Sequence, residues 1–153
     1  MTADKFEGAD DGSLIVVRDD HGYAGVVAGF AFKAGETLAR FSAREVVSKP
    51  SYLTVQVEMD KHIVLFPEYL RYLNHSCDPN VFLNVDDGTI EALRPIVEGE
   101  PITFFYPSTE WEMDRPFDCL CGALNCLGKV AGASQLPLEV MQGYRLSGHI
   151  GKA

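Results

Sequence analysis

Apolar residues in this chain come in short runs, each closed by Gly, Pro or Asp, and the runs predict strands rather than long helices. Ser13 to Val17 (SLIVV) and Ala24 to Ala28 (AGVVA) read as strands flanking a DDHG turn, and Thr37 to Phe41 reads as another. From Leu53 to Met59 the pattern alternates, with Leu53, Val55, Val57 and Met59 on one face and Thr54, Gln56 and Glu58 on the other. Asp60 and Lys61 then turn the chain back into HIVLF, so a hairpin is expected. Pro67 can begin a short helical turn through Tyr72. A second hairpin is expected where VFLNV meets TIEAL around Asp87 and Gly88. Pro137 to Gln142, ended by Gly143, is the one longer helix the sequence predicts, packing through Leu138 and Met141. The chain is therefore mainly β with minor helix, and periodicity leaves a barrel, a sandwich and a folded ribbon of hairpins open.

Length and charge narrow the function. A chain of 153 residues that is 46% hydrophobic fits a single domain able to bury its own core. Thirteen basic against 22 acidic residues give a net charge of −9, which argues against binding a nucleic-acid backbone and suits a basic polypeptide partner. Scattered acids also fit a merely solvated surface. No apolar run approaches the roughly 20 residues that span a bilayer. The opening MTADKFEGADDG lacks the apolar core of a secretory signal, so an intracellular protein, cytoplasmic or nuclear, with no membrane association is expected.

Inside a cell disulfides are disfavoured, and Cys119, Cys121 and Cys126, spaced CxCxxxxC, read as thiolate metal ligands. With Cys77 they make four, enough for a closed tetrahedral zinc site with no open catalytic position. The alternative is that Cys77 is a small buried apolar residue and the other three form an incomplete site.

Three stretches carry a family resemblance: RYLNHSCDPN ending at Asn80, GEPITFFY from Gly99 to Tyr106, and CLCGALNC from Cys119 to Cys126. In this order they resemble the SET-domain protein lysine methyltransferases, over residues from about Gly22 to Gly128. The resemblance implies small sheets around a knot-like crossing, the β-clip SET fold, with short helices. It also implies a division into a SET domain at 1–116, a cysteine-rich post-SET zinc motif at 117–132 and a C-terminal tail at 133–153 bearing a short helix.

The implied cofactors are S-adenosylmethionine and one structural zinc per chain, held by Cys77, Cys119, Cys121 and Cys126. Asn74 and His75 are then the pair that holds S-adenosylmethionine, Arg71 supports their turn, and Leu127 forms an apolar lid. Tyr23, Ala24 and Gly25 stand where the family has a GxG loop against the methionine end of the cofactor. The glycine spacing is interrupted here, and a one-residue bulge at Gly25 restores the contact; an ordinary hairpin turn is the alternative. Tyr106 takes the place of the catalytic tyrosine. Phe104, Phe105, Trp111 and Tyr52 are candidates for the channel wall, with Phe104 and Tyr52 favoured. Phe105 departs from the family, which usually has aspartate there.

The implied activity is methyl transfer to a protein lysine ε-amine, with Phe104 pointing to di- or trimethylation. A non-histone or small-molecule amine acceptor and a catalytically silent zinc-bearing interaction module are the alternatives. The implied partner is a basic, lysine-containing protein or peptide such as a histone tail. From Phe41 to Tyr69 little beyond one hairpin is expected, so the substrate groove is open in a monomer or completed by a second copy in a homodimer.

Overall fold

The first apolar pair of runs sets the frame of the computed structural model, which describes residues 7–151; residues 1–6 and 152–153, which include part of the opening segment and the ends of the expected division, lie outside the described residues. β1 (Leu14–Arg18) and β2 (Ala24–Ala28) pair antiparallel without interruption from Leu14 opposite Ala28 to Arg18 opposite Ala24. Asp19 closes the hairpin by accepting hydrogen bonds from the amides of His21 (2.8 Å) and Tyr23 (3.0 Å). The bulge expected at Gly25 is therefore absent, because the turn takes up the extra residues before the ladder begins.

β3 (Thr37–Arg40) leads into β4 (Ser42–Val47), β5 (Thr54–Glu58) and β6 (Lys61–Phe66), the last three forming one antiparallel sheet in the order β4-β6-β5. This corrects the single hairpin expected between Phe41 and Tyr69. β4 exposes five of its six residues, so it carries no apolar alternation for a sequence pattern to detect. The alternation expected from Leu53 to Met59 also fails at two positions: Gln56 is 3% exposed whereas Met59 is 48% exposed. Gln56 is drawn inward because its side chain accepts the Trp111 amide (2.8 Å) and donates to the Met59 carbonyl (3.1 Å).

A 3-10 turn at Glu68–Tyr72 precedes β7 (Asn74–His75), and β8 (Val81–Asn84) and β9 (Thr89–Ala92) form the second expected hairpin. β3 joins this hairpin in a sheet of order β3-β9-β8. β10 (Thr103–Phe104) runs parallel to β7, pairing Thr103 with Asn74 and Phe104 with His75. Leu14, Val26, Leu38, Ile63, Leu70, Leu83, Ile90 and Ile102 from these elements meet in one buried core.

Past β11 (Phe117–Asp118) and β12 (Lys129–Val130), the tail holds α1 (Leu138–Met141) and α2 (Gly148–Gly151). α1 is one turn, shorter than the helix expected from Pro137 to Gln142. Pro137 gives it no side-chain cap, none of its residues is buried, and Leu138 stays 68% exposed instead of packing on the domain. The tail is anchored further on, by Tyr144, Arg145, His149 and the buried Ile150.

Candidate active site

The parallel pairing of β7 with β10 is what brings two distant motifs together. Because Phe104 lies opposite His75, Tyr106, two residues on, turns back over His75, and its amide donates to His75 Nδ1 at 3.1 Å. The Tyr106 hydroxyl donates to the Leu73 carbonyl at 2.9 Å, fixing the ring at both ends. Burial, with the nearby Glu110 charge, pushes the Tyr106 phenol up to about 12, so it stays a neutral donor.

Tyr106 lines a cavity of about 220 Å³ together with Phe104, Tyr52, Leu73, Arg71 and Glu110. That volume is below the ~300–1,000 Å³ usual for drug-sized ligands and suits a narrow aliphatic arm. Phe104 is buried with its ring 4.8 Å from that of Tyr106. Tyr52 stands 71% exposed at the rim, where the Arg115 guanidinium lies 5.1 Å over its ring. Trp111 and Phe105 are not part of this wall among the described residues.

Phe105, whose departure from the expected aspartate left its contacts open, is buried and stacks on Tyr144 with ring centroids 3.6 Å apart and planes 3° from parallel. The tail thus supplies Phe105 with an aromatic partner. Tyr144 and Arg145 carry no motif, so the sequence offered no signal for these contacts.

On the other side of β7, the Asn74 side chain donates to the Ala24 carbonyl at 3.0 Å. A Cβ added at Gly25 would come within 3.0 Å of that same Asn74 amide nitrogen, so glycine is what permits the close approach. Asn74, Ala24 and Gly25 thus form one seam even without a bulge. Tyr23 is next to it but 77% exposed. Arg71 donates to the Tyr72 hydroxyl at 2.9 Å and lies over that ring, and it makes no ion pair among the described residues.

His75 connects this site to the cysteines. Its Nδ1 accepts the Tyr106 amide, so the ring proton sits on Nε2, which faces Cys77 Sγ at 3.3 Å and donates to it. Burial lowers the imidazole to about 4 and keeps it neutral.

The Sγ atoms of Cys77, Cys119, Cys121 and Cys126 all lie within 4.8 Å of one another, and Cys77 and Cys119 are 3.9 Å apart. A tetrahedral zinc with Zn–S bonds of ~2.3 Å sets its sulfurs about 3.8 Å apart, so the four thiols fit that ion. Burial pushes the Cys77 thiol up, so a thiolate there depends on a cation beside it. The Leu127 amide donates to the same sulfur at 3.3 Å, and the partly buried Leu127 side chain packs against the cysteine cluster.

The SET domain family model matches residues 23–107. Methyltransferase flvH of Aspergillus flavus is 39% identical over 124 residues, which are 78% of this chain and 68% of that protein. Histone-lysine N-methyltransferase mes-4 of Caenorhabditis elegans is 40% identical over 80 residues, 42% of this chain but only 9% of that protein. The crystal structure of KRYPTONITE in complex with mCHG DNA and SAH superimposes with a TM-score of 0.59 at 20% identity, over 76% of this chain and 28% of that one. The fold is shared with that structure. No helix of the described residues is long and apolar enough to cross a membrane.

Proposed function

Since the chain belongs to the SET-domain family, we propose that it is an S-adenosylmethionine-dependent methyltransferase whose acceptor is a protein lysine ε-amine. The observation that carries this reading is Tyr106, whose hydroxyl is held by the Leu73 carbonyl on a narrow cavity and whose backbone amide is joined through His75 to the four-thiol cluster.

S-adenosylmethionine supplies a methyl group on a sulfonium; the N–C bond forms as the C–S bond breaks, with the electron pair retained by sulfur. The residues that would hold it are Asn74, Ala24, Gly25 and Tyr23 along the seam, with His75, Arg71, Tyr106 and Leu127 around it. Tyr106 orients the amine, and Phe104 and Tyr52 wall the channel, keeping water from the reacting nitrogen. At pH 7 a free lysine of pKa about 10.4 lacks its neutral form by about 4.6 kcal/mol, and desolvation in the apolar channel lowers that deficit. Zinc on the four cysteines fastens the segment around Leu127 against the site without taking part in the chemistry.

Phe104 has no hydroxyl with which to hold a water beside the amine, which favours di- or trimethyl products. The acidic surface, net −9, favours a basic peptide such as a histone tail, and the exposed β4 edge leaves room for a second copy to complete the groove. A small-molecule amine acceptor is the second reading, favoured by the relative whose name specifies only a methyltransferase.

The test is transfer of labelled methyl from S-adenosylmethionine to basic peptides, whole lysates and free amines, beside calorimetric binding of the cofactor. Labelling of lysine in peptides or proteins is the expected outcome. Labelling confined to free amines selects the second reading. Asn74→Ala is expected to weaken cofactor binding about tenfold, and an unchanged dissociation constant removes Asn74 from the cofactor site.

A further inference from the structure

Among the described residues, Glu110 is a carboxylate with no cation to justify its burial. It is 8% exposed, follows Tyr106 by four residues, and contributes to the wall of the same cavity. Its amide donates to the Tyr106 carbonyl at 3.0 Å, so the two residues share one turn.

Both hydrogen bonds to its carboxylate fall on one oxygen. Oε2 accepts the Gln56 amide at 2.9 Å and the Thr109 hydroxyl at 2.7 Å, whereas Oε1 accepts none among the described residues. The arginines nearest at hand are committed elsewhere: Arg115 lies over the Tyr52 ring and Arg71 binds Tyr72. No lysine or arginine pairs with Glu110 among the described residues. A buried carboxylate held on one side and free on the other is costly unless a cation arrives from outside.

We propose that Glu110 receives the target amine: its carboxylate binds the incoming ammonium, accepts one of its protons and so delivers the neutral amine to Tyr106. This rests on the reading that the cavity admits a lysine side chain. One N–H bond breaks and one O–H bond forms, the ammonium becomes an amine, and the carboxylate becomes a carboxylic acid. That proton passes to solvent once the methylated product leaves, restoring the carboxylate.

The protonation chemistry agrees with the geometry. Burial raises the Glu110 carboxyl to about 7, against which the bonds from Gln56 and Thr109 act in the opposite direction. A base of that strength is both substantially ionised and able to hold a proton at neutral pH. The other ionisable groups around it are Tyr106, Tyr52, Asp114, Arg115 and Arg71 on the cavity wall. Behind it are His149, whose Nε2 meets the Thr109 carbonyl at 2.7 Å, and His62, paired with Gln56 across β6 and β5.

The dependence of kcat/KM on pH distinguishes the routes. If solvent removes the proton, kcat/KM tracks the neutral amine and climbs about tenfold per pH unit until the amine pKa near 10.4. If Glu110 removes it, the reacting pair is carboxylate plus ammonium, and kcat/KM levels off once Glu110 is ionised. The experiment measures kcat/KM for a lysine peptide between pH 6 and 9.5 with the zinc-loaded protein and with Glu110→Gln, alongside cofactor affinity and thermal stability.

The expected result is a plateau above about pH 7 in the parent, and in Glu110→Gln a rate lower at neutral pH that climbs throughout, with cofactor affinity unchanged. Parallel climbing in both proteins, or a loss of the same factor at every pH, overturns the proposal and leaves Glu110 a structural residue. If Glu110→Gln does not fold, the parent profile decides alone, a plateau supporting the proposal and a continuous climb refuting it. An active parent with the wrong profile refutes only this role for Glu110, whereas a parent that methylates no lysine refutes the function on which it rests.

Discussion

Tyr144 ties the tail to the active-site loop, and removing it in two steps separates what its hydroxyl and its ring contribute. The hydroxyl donates to the Cys77 carbonyl at 2.6 Å and accepts from the Asn125 side chain at 3.1 Å. Burial, and then the negative groups around the cysteines, push this phenol up to about 12, so it remains a donor at neutral pH. In Tyr144→Phe the Cys77 carbonyl keeps one partner, because Asn125 also donates to it at 2.9 Å. Two hydrogen bonds are therefore lost and neither partner is orphaned; the one from Asn125 is solvent-exposed, where water replaces it, so the cost is about 1 kcal/mol.

Tyr144→Ala also removes the ring stacked at 3.6 Å on Phe105. That stack contributes ~0.5–1.5 kcal/mol beyond burial. Only part of the ring is buried, so about half of the ~3–5 kcal/mol typical of a buried aromatic is added. With the hydrogen-bond loss the sum is about 4 kcal/mol. At ~2–4 °C per kcal/mol for a domain near this size, Tm should fall by about 3 °C in Tyr144→Phe and by about 12 °C in Tyr144→Ala. Differential scanning calorimetry gives both values, and a double-mutant cycle with Phe105→Ala should return a coupling near 1 kcal/mol. A Tyr144→Ala protein that melts with the parent, or a coupling of zero, refutes the staple.

Zinc analysis of the purified protein should approach one equivalent per chain, and Cys126→Ser should lose the metal and loosen the segment around Leu127 more than the core, as hydrogen exchange would show. Fully active protein without metal contradicts the closed-site reading. Phe104→Tyr should shift the product toward monomethyllysine without abolishing turnover; mass spectrometry that finds only monomethyllysine from the parent removes Phe104 from control of product multiplicity. Glu110 binds its proton more tightly in the folded state, at about 7 against 4.5, so its contribution to stability is present at low pH and is lost as pH rises through that interval. Denaturant unfolding of Glu110→Gln and the parent should therefore diverge, the variant gaining up to about 3 kcal/mol between pH 5 and pH 7.5, and a difference independent of pH contradicts the burial of an ionisable group there.

Where the sequence was legible, a residue's pattern and its environment had the same cause. The β1–β2 and β8–β9 hairpins appear as apolar runs around Asp and Gly because Leu14, Val26, Leu83 and Ile90 face one core. β4 was invisible because an exposed edge strand needs no apolar alternation. The pairings of β7 with β10 and of β11 with β12 are two residues long and exist through tertiary neighbours. The alternating pattern places the polar Gln56 outward, yet its partners Trp111 and Met59 satisfy it inside.

The same contrast holds at the site. Asn74, His75, Tyr106 and the four cysteines all sit in motifs, so local sequence points to them. Glu110 and Tyr144 sit in none: one is set by burial beside Tyr106 and the other by a stack on Phe105, and neither condition is written in local sequence.

The central claim is that Tyr106 presents an amine for methyl transfer. Its most direct test compares parent and Tyr106→Phe for labelled methyl incorporation into a lysine peptide at saturating S-adenosylmethionine, with cofactor affinity measured on both. Loss of the hydroxyl frees the ring end now held at 2.9 Å by the Leu73 carbonyl, and a misplacement of ~1 Å costs on the order of 100-fold in rate. A fall in kcat of about that size with cofactor affinity preserved is the predicted result. Undiminished turnover in Tyr106→Phe, or a parent that binds the cofactor yet labels no amine, would contradict it.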